Sequence, residues 1–249
     1  MICNLPKSLR PADNTGKIAR IGSEYDGGYI CCMNDIKEID VVISGGINNN
    51  WDFELEILNY KKIPIYAYDA SIGLLFYIKQ ILEIIPKIHR WNLMWHRLKN
   101  LIFYSVQYPR SIKIYRKFLG IKNDENFVDF DEVLSVHADK NILLKLDIEG
   151  WEYRLLPSIK KHAHSLKCVV IEFHDVDLHI DLITSFVEDL NMRVISTAVN
   201  TYSSLGMNNY PTTIEITLSQ NTVATNLNSY ETFIKPNNKL HSKWKIEYV

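Results

Sequence analysis

The chain has 249 residues, 47% of them apolar and 23% charged, with a formal net charge of −1. That length suits one large domain or two small ones, and the composition is that of an ordinary folded soluble protein. A net charge so near zero gives no global reason to expect nucleic acid as a partner, and the four cysteines show neither a metal-ligand spacing nor a disulfide framework.

Residues 1–37 form a mixed N-terminal segment. Its first residues carry no basic stretch followed by an apolar core, so no secretory leader is expected. With the unpaired cysteines, this points to a reduced, cytoplasmic setting. Within the segment, residues 18–30 place two short apolar pieces on either side of Asp26, Gly27 and Gly28. Glycine tolerates positive φ without steric cost, so the pattern predicts a β-hairpin, and a ligand loop stays open beside it.

Residues 39–47 read as a short buried strand running into Gly45 and Gly46. Asn48 to Asn50 then offer helix N-caps, and residues 51–60 carry Trp51, Leu55 and Leu58 on one helical side. A second strand over 63–68 ends in Asp69. This is a βαβ unit with a specific chemistry. Glycines after the first strand let a ligand approach the backbone, and an acid closing the second can accept both hydroxyls of a ribose. Gly45 and Asp69 are 24 residues apart, near the ~20 of nucleotide-binding units. The third glycine of the dinucleotide motif is missing. That counts against an NAD-dependent oxidoreductase and favours an adenosine-bearing ligand without a diphosphate.

Residues 71–122 are helix-like and rich in Ile, Leu, Tyr and Trp. They hold ten lysines and arginines against a single acid, Glu83. Connections between strand and helix are usually far shorter, so this segment predicts an inserted basic cap of two or three helices broken at Pro86 and Pro109. A third sheet strand must lie within it, and residues 101–106 are the candidate. The basic face could meet an anionic acceptor or a membrane surface carrying one, or serve as a solvated outer face. The longest apolar-looking stretch, residues 72–85, is broken by Lys79 and Glu83 and falls short of the roughly 20 residues a bilayer span requires.

Residues 126–134 lead through a short helix to the run 142–146, interrupted only by Lys145, which reads as a strand buried on both faces. Asp147 and Glu149 follow it, then Gly150, then a helix with Trp151, Leu155, Leu156 and Ile159 on one face. The two carboxylates either cap that helix or serve a ligand at the carboxyl end of a central strand. Residues 167–174 form another buried strand closing in Glu172 and His174. A helix with Leu182, Ile183, Phe186 and Leu190 in register comes next. Residues 193–197 and 213–218 complete the sheet, the latter as an antiparallel edge strand. Phe233, Trp244, Ile246 and Tyr248 suggest that the polar tail, residues 221–249, packs back on the body. No repeat or linker divides the chain, so residues 1–249 are taken as one domain.

Several of these pieces resemble one family. Leu144-Lys-Leu-Asp-Ile-Glu-Gly-Trp-Glu152 resembles the K-x-D-x-E-G-x-E signature of the FkbM-type, S-adenosylmethionine-dependent methyltransferases. Arg20-Ile-Gly-Ser-Glu-Tyr-Asp-Gly-Gly-Tyr29 and Ser44-Gly-Gly-Ile-Asn-Asn-Asn-Trp-Asp-Phe-Glu54 are similar to two earlier segments of that family. Glu172-Phe-His-Asp175 and Pro211-Thr-Thr-Ile-Glu-Ile-Thr217 are similar to its two later strands, and all five occur in the family's order. The resemblance implies a class I methyltransferase α/β fold, a Rossmann-like seven-stranded sheet whose last strand is antiparallel. It implies methyl transfer from S-adenosylmethionine to a hydroxyl, commonly on a sugar.

Carried over by position, Ser44, Gly45, Gly46 and Asn48 would face the methionine end of the cofactor and Asp69 the ribose. Asp147 would lie beside the sulfonium. His174 would be the general base, with Glu149 next to the chemistry and Asp26, Tyr29 and Asn200 toward a sugar or glycoconjugate acceptor. Of the H-x-N-N found before the last strand in relatives, Thr197-Ala-Val-Asn200 keeps only Asn200. No metal site is expected, although Asp147, Glu172 and Asp175 at neighbouring strand ends are the ligands a Mg²⁺-assisted variant acting on a small metabolite would use. A non-catalytic module that binds a nucleotide or glycan in the same pocket is the alternative outside enzymes.

Overall fold

In the computed structural model the described residues are 2–12, 17–24, 27–83, 85, 91–106, 110–200, 203–221 and 244–249. In chain order, β1 (Ile2–Leu5) precedes the hairpin of β2 (Ile18–Gly22) and β3 (Gly28–Cys32), then α1 (Met33–Glu38) and β4 (Val41–Gly45). Next come α2 (Asp52–Tyr60), β5 (Ile65–Tyr68), α3 (Leu74–Leu82), α4 (Trp91–Val106), β6 (Ile112–Tyr115) and β7 (Phe118–Gly120). After β8 (Phe127–Asp129) and α5 (Phe130–Val136) follow β9 (Ile142–Leu146), α6 (Glu152–Lys161), β10 (Leu166–His174) and α7 (Val176–Leu190). The chain finishes with β11 (Arg193–Val199), β12 (Thr213–Ser219) and β13 (Lys245–Tyr248).

Seven strands form the main sheet in the order β11-β12-β10-β9-β4-β5-β6. β10, β9, β4, β5 and β6 pair in parallel, while β12 runs antiparallel to both its neighbours. This is the α/β sheet the resemblance implies. β4 and β9 lie at its centre and are buried at every position, which is why they read as nearly continuous apolar runs. One face packs on α5, α6 and α7 through residues such as Phe130, Leu155 and Phe186. The other packs on α1, α2 and the β2–β3 hairpin through Ile36, Ile57 and Tyr29. The hairpin expected at 18–30 is present, with Gly22 opposite Gly28.

Two expectations are corrected. Residues 101–106 belong to α4 and are not a strand; the third parallel strand is β6 at Ile112–Tyr115. The apolar side chains of 101–106 repeat at helical as well as strand spacing, and a short run alone cannot separate the two. β12 is antiparallel but is not at the edge. It inserts between β10 and β11, with six of its seven residues buried. The basic cap therefore holds two described helices, α3 and α4, and its last third returns to the sheet. Pro86, Pro109 and Phe233 lie outside the described residues. The described end of the tail packs back: Trp244, Ile246 and Tyr248 lie against the core that includes Phe130, Leu155 and Phe186, and β13 pairs in parallel with β1. The four cysteines are free and buried, and among the described residues no helix is long and apolar enough to cross a membrane.

Candidate functional site

The carboxyl ends of β4, β5, β9 and β10 open into one cleft of about 790 Å³, within the range of small-molecule and cofactor sites. Gly46, Asn48, Asp69, Asp147, Glu149, His174 and Asn200 all contribute to its lining. Ser44 and Tyr29 lie beneath the surface, 0% and 1% exposed. Asp26 falls outside the described residues.

The glycine bend is forced by its neighbours. Gly46 has φ +74°, and a Cβ there would stand 1.6 Å from the backbone oxygen of Asp147. Only glycine lets β4 and β9 turn out of the sheet so close together. Asp69 holds the loop beyond. Its Oδ2 accepts from the amides of Ile47 (3.1 Å) and Asn48 (2.8 Å), and its Oδ1 from the amide (2.8 Å) and hydroxyl (2.6 Å) of Ser71. Both oxygens of the expected ribose acid are thus engaged with the chain itself.

Glu54 is a residue the motif reading quoted but did not place. Its carboxylate comes from the first turn of α2. Oε1 accepts from Ser44 Oγ at 2.6 Å. Oε2 has no partner among the described residues, although the side chain is 1% exposed and borders the cleft. An acceptor buried without a donor is costly, so this oxygen fits a ligand N–H. Lys145 of β9 is buried as well, at 4% exposure. It donates to the carbonyl of Gly46 and stands 3.7 Å from Asp147 Oδ2. Tyr29 Oη donates to that same oxygen at 3.1 Å. Tyr29 is therefore a support for Asp147 and not a wall of the acceptor side, where the resemblance would put it.

At the β10 end, His174 lies among carboxylates. Nδ1 is 3.3 Å from Glu152 Oε1, and Nε2 is 3.5 Å from Glu149 Oε2 and 4.0 Å from Glu172 Oε1. Burial pushes the imidazole down, but the hydrogen bond and charge of Glu152, joined by Glu172 and Asp147, outweigh it and hold the pKa up to about 9. His174 therefore carries a proton at neutral pH. That changes the role expected of a free base near 6.5. Glu152, fully buried, also accepts from the amides of Ile148 (2.9 Å) and Gly150 (3.0 Å), fixing the turn that carries Asp147 and Glu149. Asn200 Nδ2 donates to Glu172 Oε1 at 3.0 Å.

The set that converges as metal ligands is not Asp147, Glu172 and Asp175. Among the described residues it is Asp147, Glu149 and His174, with ligand atoms within 4.8 Å of one another. Tyr68, Phe118, Phe127 and Trp151 give the cleft an aromatic lining, with Phe127 and Trp151 4.9 Å apart.

No family model and no curated protein sequence matches the chain. Solved structures do resemble it at low identity. Precorrin-6y C5,15-methyltransferase from Geobacter metallireducens is 13% identical over 76% of this chain and 87% of that one, at a TM-score of 0.41. Methyltransferase FkbM from Methylobacillus flagellatus is 12% identical over 72% of this chain and 44% of that one, at 0.43. A putative RNA methyltransferase from Pyrococcus horikoshii is 10% identical over 75% and 77%, at 0.40. Likeness at this level concerns the fold alone.

Proposed function

We propose that the chain is an S-adenosylmethionine-dependent O-methyltransferase of the FkbM type, acting on a hydroxyl of a sugar in a glycan or glycoconjugate precursor. One observation carries the reading: the glycine bend at Gly46, the acid at Asp69 and the carboxylate at Asp147 border a single cleft. Had they pointed into separate regions, the motif resemblance would have had no site to describe.

The residues present fit the cofactor. The unpartnered Glu54 oxygen suits the α-ammonium of its amino-acid end, and the aromatic lining suits a flat base. Asp147, held by Tyr29 and Lys145, offers negative charge to a sulfonium. When bound, S-adenosylmethionine supplies a methyl group already activated on sulfur. The chain's own part is alignment of the acceptor hydroxyl, worth several kcal/mol and up to about 7–11 in the best cases, and removal of its proton. His174 can take that proton only after losing its own. Turnover should therefore rise toward alkaline pH, and the cofactor's positive charge near Asp147 should pull the transition below 9.

A metal-assisted form has one observation in its favour, the convergence of Asp147, Glu149 and His174. Activity that survives exhaustive EDTA treatment dismisses it. Calorimetry with S-adenosylmethionine, S-adenosylhomocysteine and NAD tests the main reading, and failure of both sulfur compounds to bind ends it. Mass spectrometry of glycans from cells with and without the protein, looking for the loss of one methyl group, tests the acceptor.

A further inference from the structure

The apolar side chains of the basic cap do not all go into the core. On α3, Leu74, Leu75, Ile78 and Leu82 are 52%, 80%, 38% and 57% exposed, and their spacing puts them on one helical stripe. On α4, Trp95, Ile102 and Val106 are 63%, 51% and 62% exposed, again at helical spacing. The two helices are fastened to each other and to the body from their inner sides. Tyr77 and Tyr104 rings meet at 4.9 Å, Arg97 donates to the carbonyl of Gln80, and Asn100 donates to that of Asn49. The outward stripes are therefore a built surface of a packed pair of helices.

Exposed apolar groups of this size mark an interaction surface, and charge identifies what covers it. Residues 71–110, which hold α3 and α4, carry six basic side chains and one acid in a chain whose net charge is −1, so the rest of the protein is net acidic and the cap is a cationic segment. Lys79 lies exposed within the α3 stripe, and Arg110 lies exposed between α4 and β6. A second copy of this face would bring like charges together. Nucleic acid would satisfy the lysines but give no return for exposed leucines. A surface that is apolar between cations matches the headgroup region of an anionic bilayer.

We propose that α3 and α4 dock this protein on the surface of an anionic lipid bilayer, lying in the interface without crossing it. Phe76 of α3 borders the cleft and Gln80 is bonded to Asn49 of the glycine loop, so docking holds the cleft mouth beside the lipid. The docking stands independently of methyl transfer.

The test is co-sedimentation of the full chain with vesicles of phosphatidylcholine alone or mixed with phosphatidylglycerol. The protein should pellet with the mixed vesicles only, and high salt should release it. Lys79→Gln should weaken binding about fivefold. Leu75→Glu/Ile78→Glu, at exposed positions that leave the core intact, should abolish binding while the melting temperature and cofactor binding stay unchanged. Equal binding to neutral vesicles overturns the assignment, as does no binding to either. Concentration-dependent dimers that the double variant disrupts would instead make the face a contact between copies and overturn it too.

Discussion

Replacing Glu54 by glutamine separates a ligand-binding carboxylate from a structural one. In the free protein Oε1 accepts from Ser44 and Oε2 accepts from nothing among the described residues, at 1% exposure. Glutamine keeps an oxygen for the Ser44 hydroxyl and removes a buried carboxylate. The unliganded variant should therefore melt at the same temperature as the wild type or higher. The charge-assisted hydrogen bond that Oε2 would make to an ammonium is worth about 1.5–3 kcal/mol, or roughly 10- to 150-fold in affinity. Calorimetry supplies the assay, with S-adenosylhomocysteine set against 5′-methylthioadenosine, which lacks the amino-acid end. Glu54→Gln should lose affinity for the first and keep it for the second. Equal losses for both ligands, or a lowered melting temperature with no ligand-selective loss, would refute the argument.

Three further outcomes follow from the geometry. His174 has a pKa raised from 6.5 to about 9 in the folded chain, so its contribution to stability is full below pH 6.5 and is lost as pH rises through 9. Compared with His174→Gln by urea titration, the wild type should lose on the order of 3 kcal/mol of relative stability across that window; a constant difference would show that the carboxylates do not hold the proton. Gly46→Ala combines a left-handed backbone with a Cβ 1.6 Å from the Asp147 backbone oxygen, and should cost more than about 2 kcal/mol, so an unchanged urea midpoint would contradict the described bend. Asp35 is fully buried, and burial pushes its carboxyl up to about 6. It therefore destabilises the fold as pH rises from its unfolded value through 6, and Asp35→Asn should raise the melting temperature at pH 7 but not at pH 3.5.

The central strands were legible because burial on both faces leaves a plain trace: β4, β5, β9 and β10 are mostly apolar runs, β4 leading into the glycine bend and the other three into polar residues that border the cleft. β6 was hidden because four residues, Ile112–Tyr115, alternate in burial and follow a helix whose own apolar residues mimic a strand. The inserted position of β12 could not be read from its residues. Alternation reports pairing with antiparallel neighbours, but not how many neighbours there are.

Within the site, motif order located Gly46, Asp69, Asp147 and His174 on one cleft, while the buried carboxylates that set their behaviour went unread. Glu54 and Glu152 each stand in the first turn of a helix, where an acid is expected for the dipole alone. In the folded chain Glu54 reaches back to Ser44 on β4, and Glu152 reaches His174 at the end of β10. Those contacts join separate elements, 10 and 22 residues apart in sequence, that a motif pattern does not bring together. Histidine's ordinary pKa made His174 look like a ready base, but that property belongs to the exposed side chain. Surrounded by Glu149, Glu152 and Glu172 it becomes the cation that keeps three carboxylates together. A positively charged group entering beside Asp147 competes with that proton. If the cleft takes a sulfonium cofactor as proposed, its binding and deprotonation of His174 are coupled, and each favours the other. On the proposed reading, the site would hold His174 protonated until the cofactor is in place, which a histidine free of carboxylates could not do.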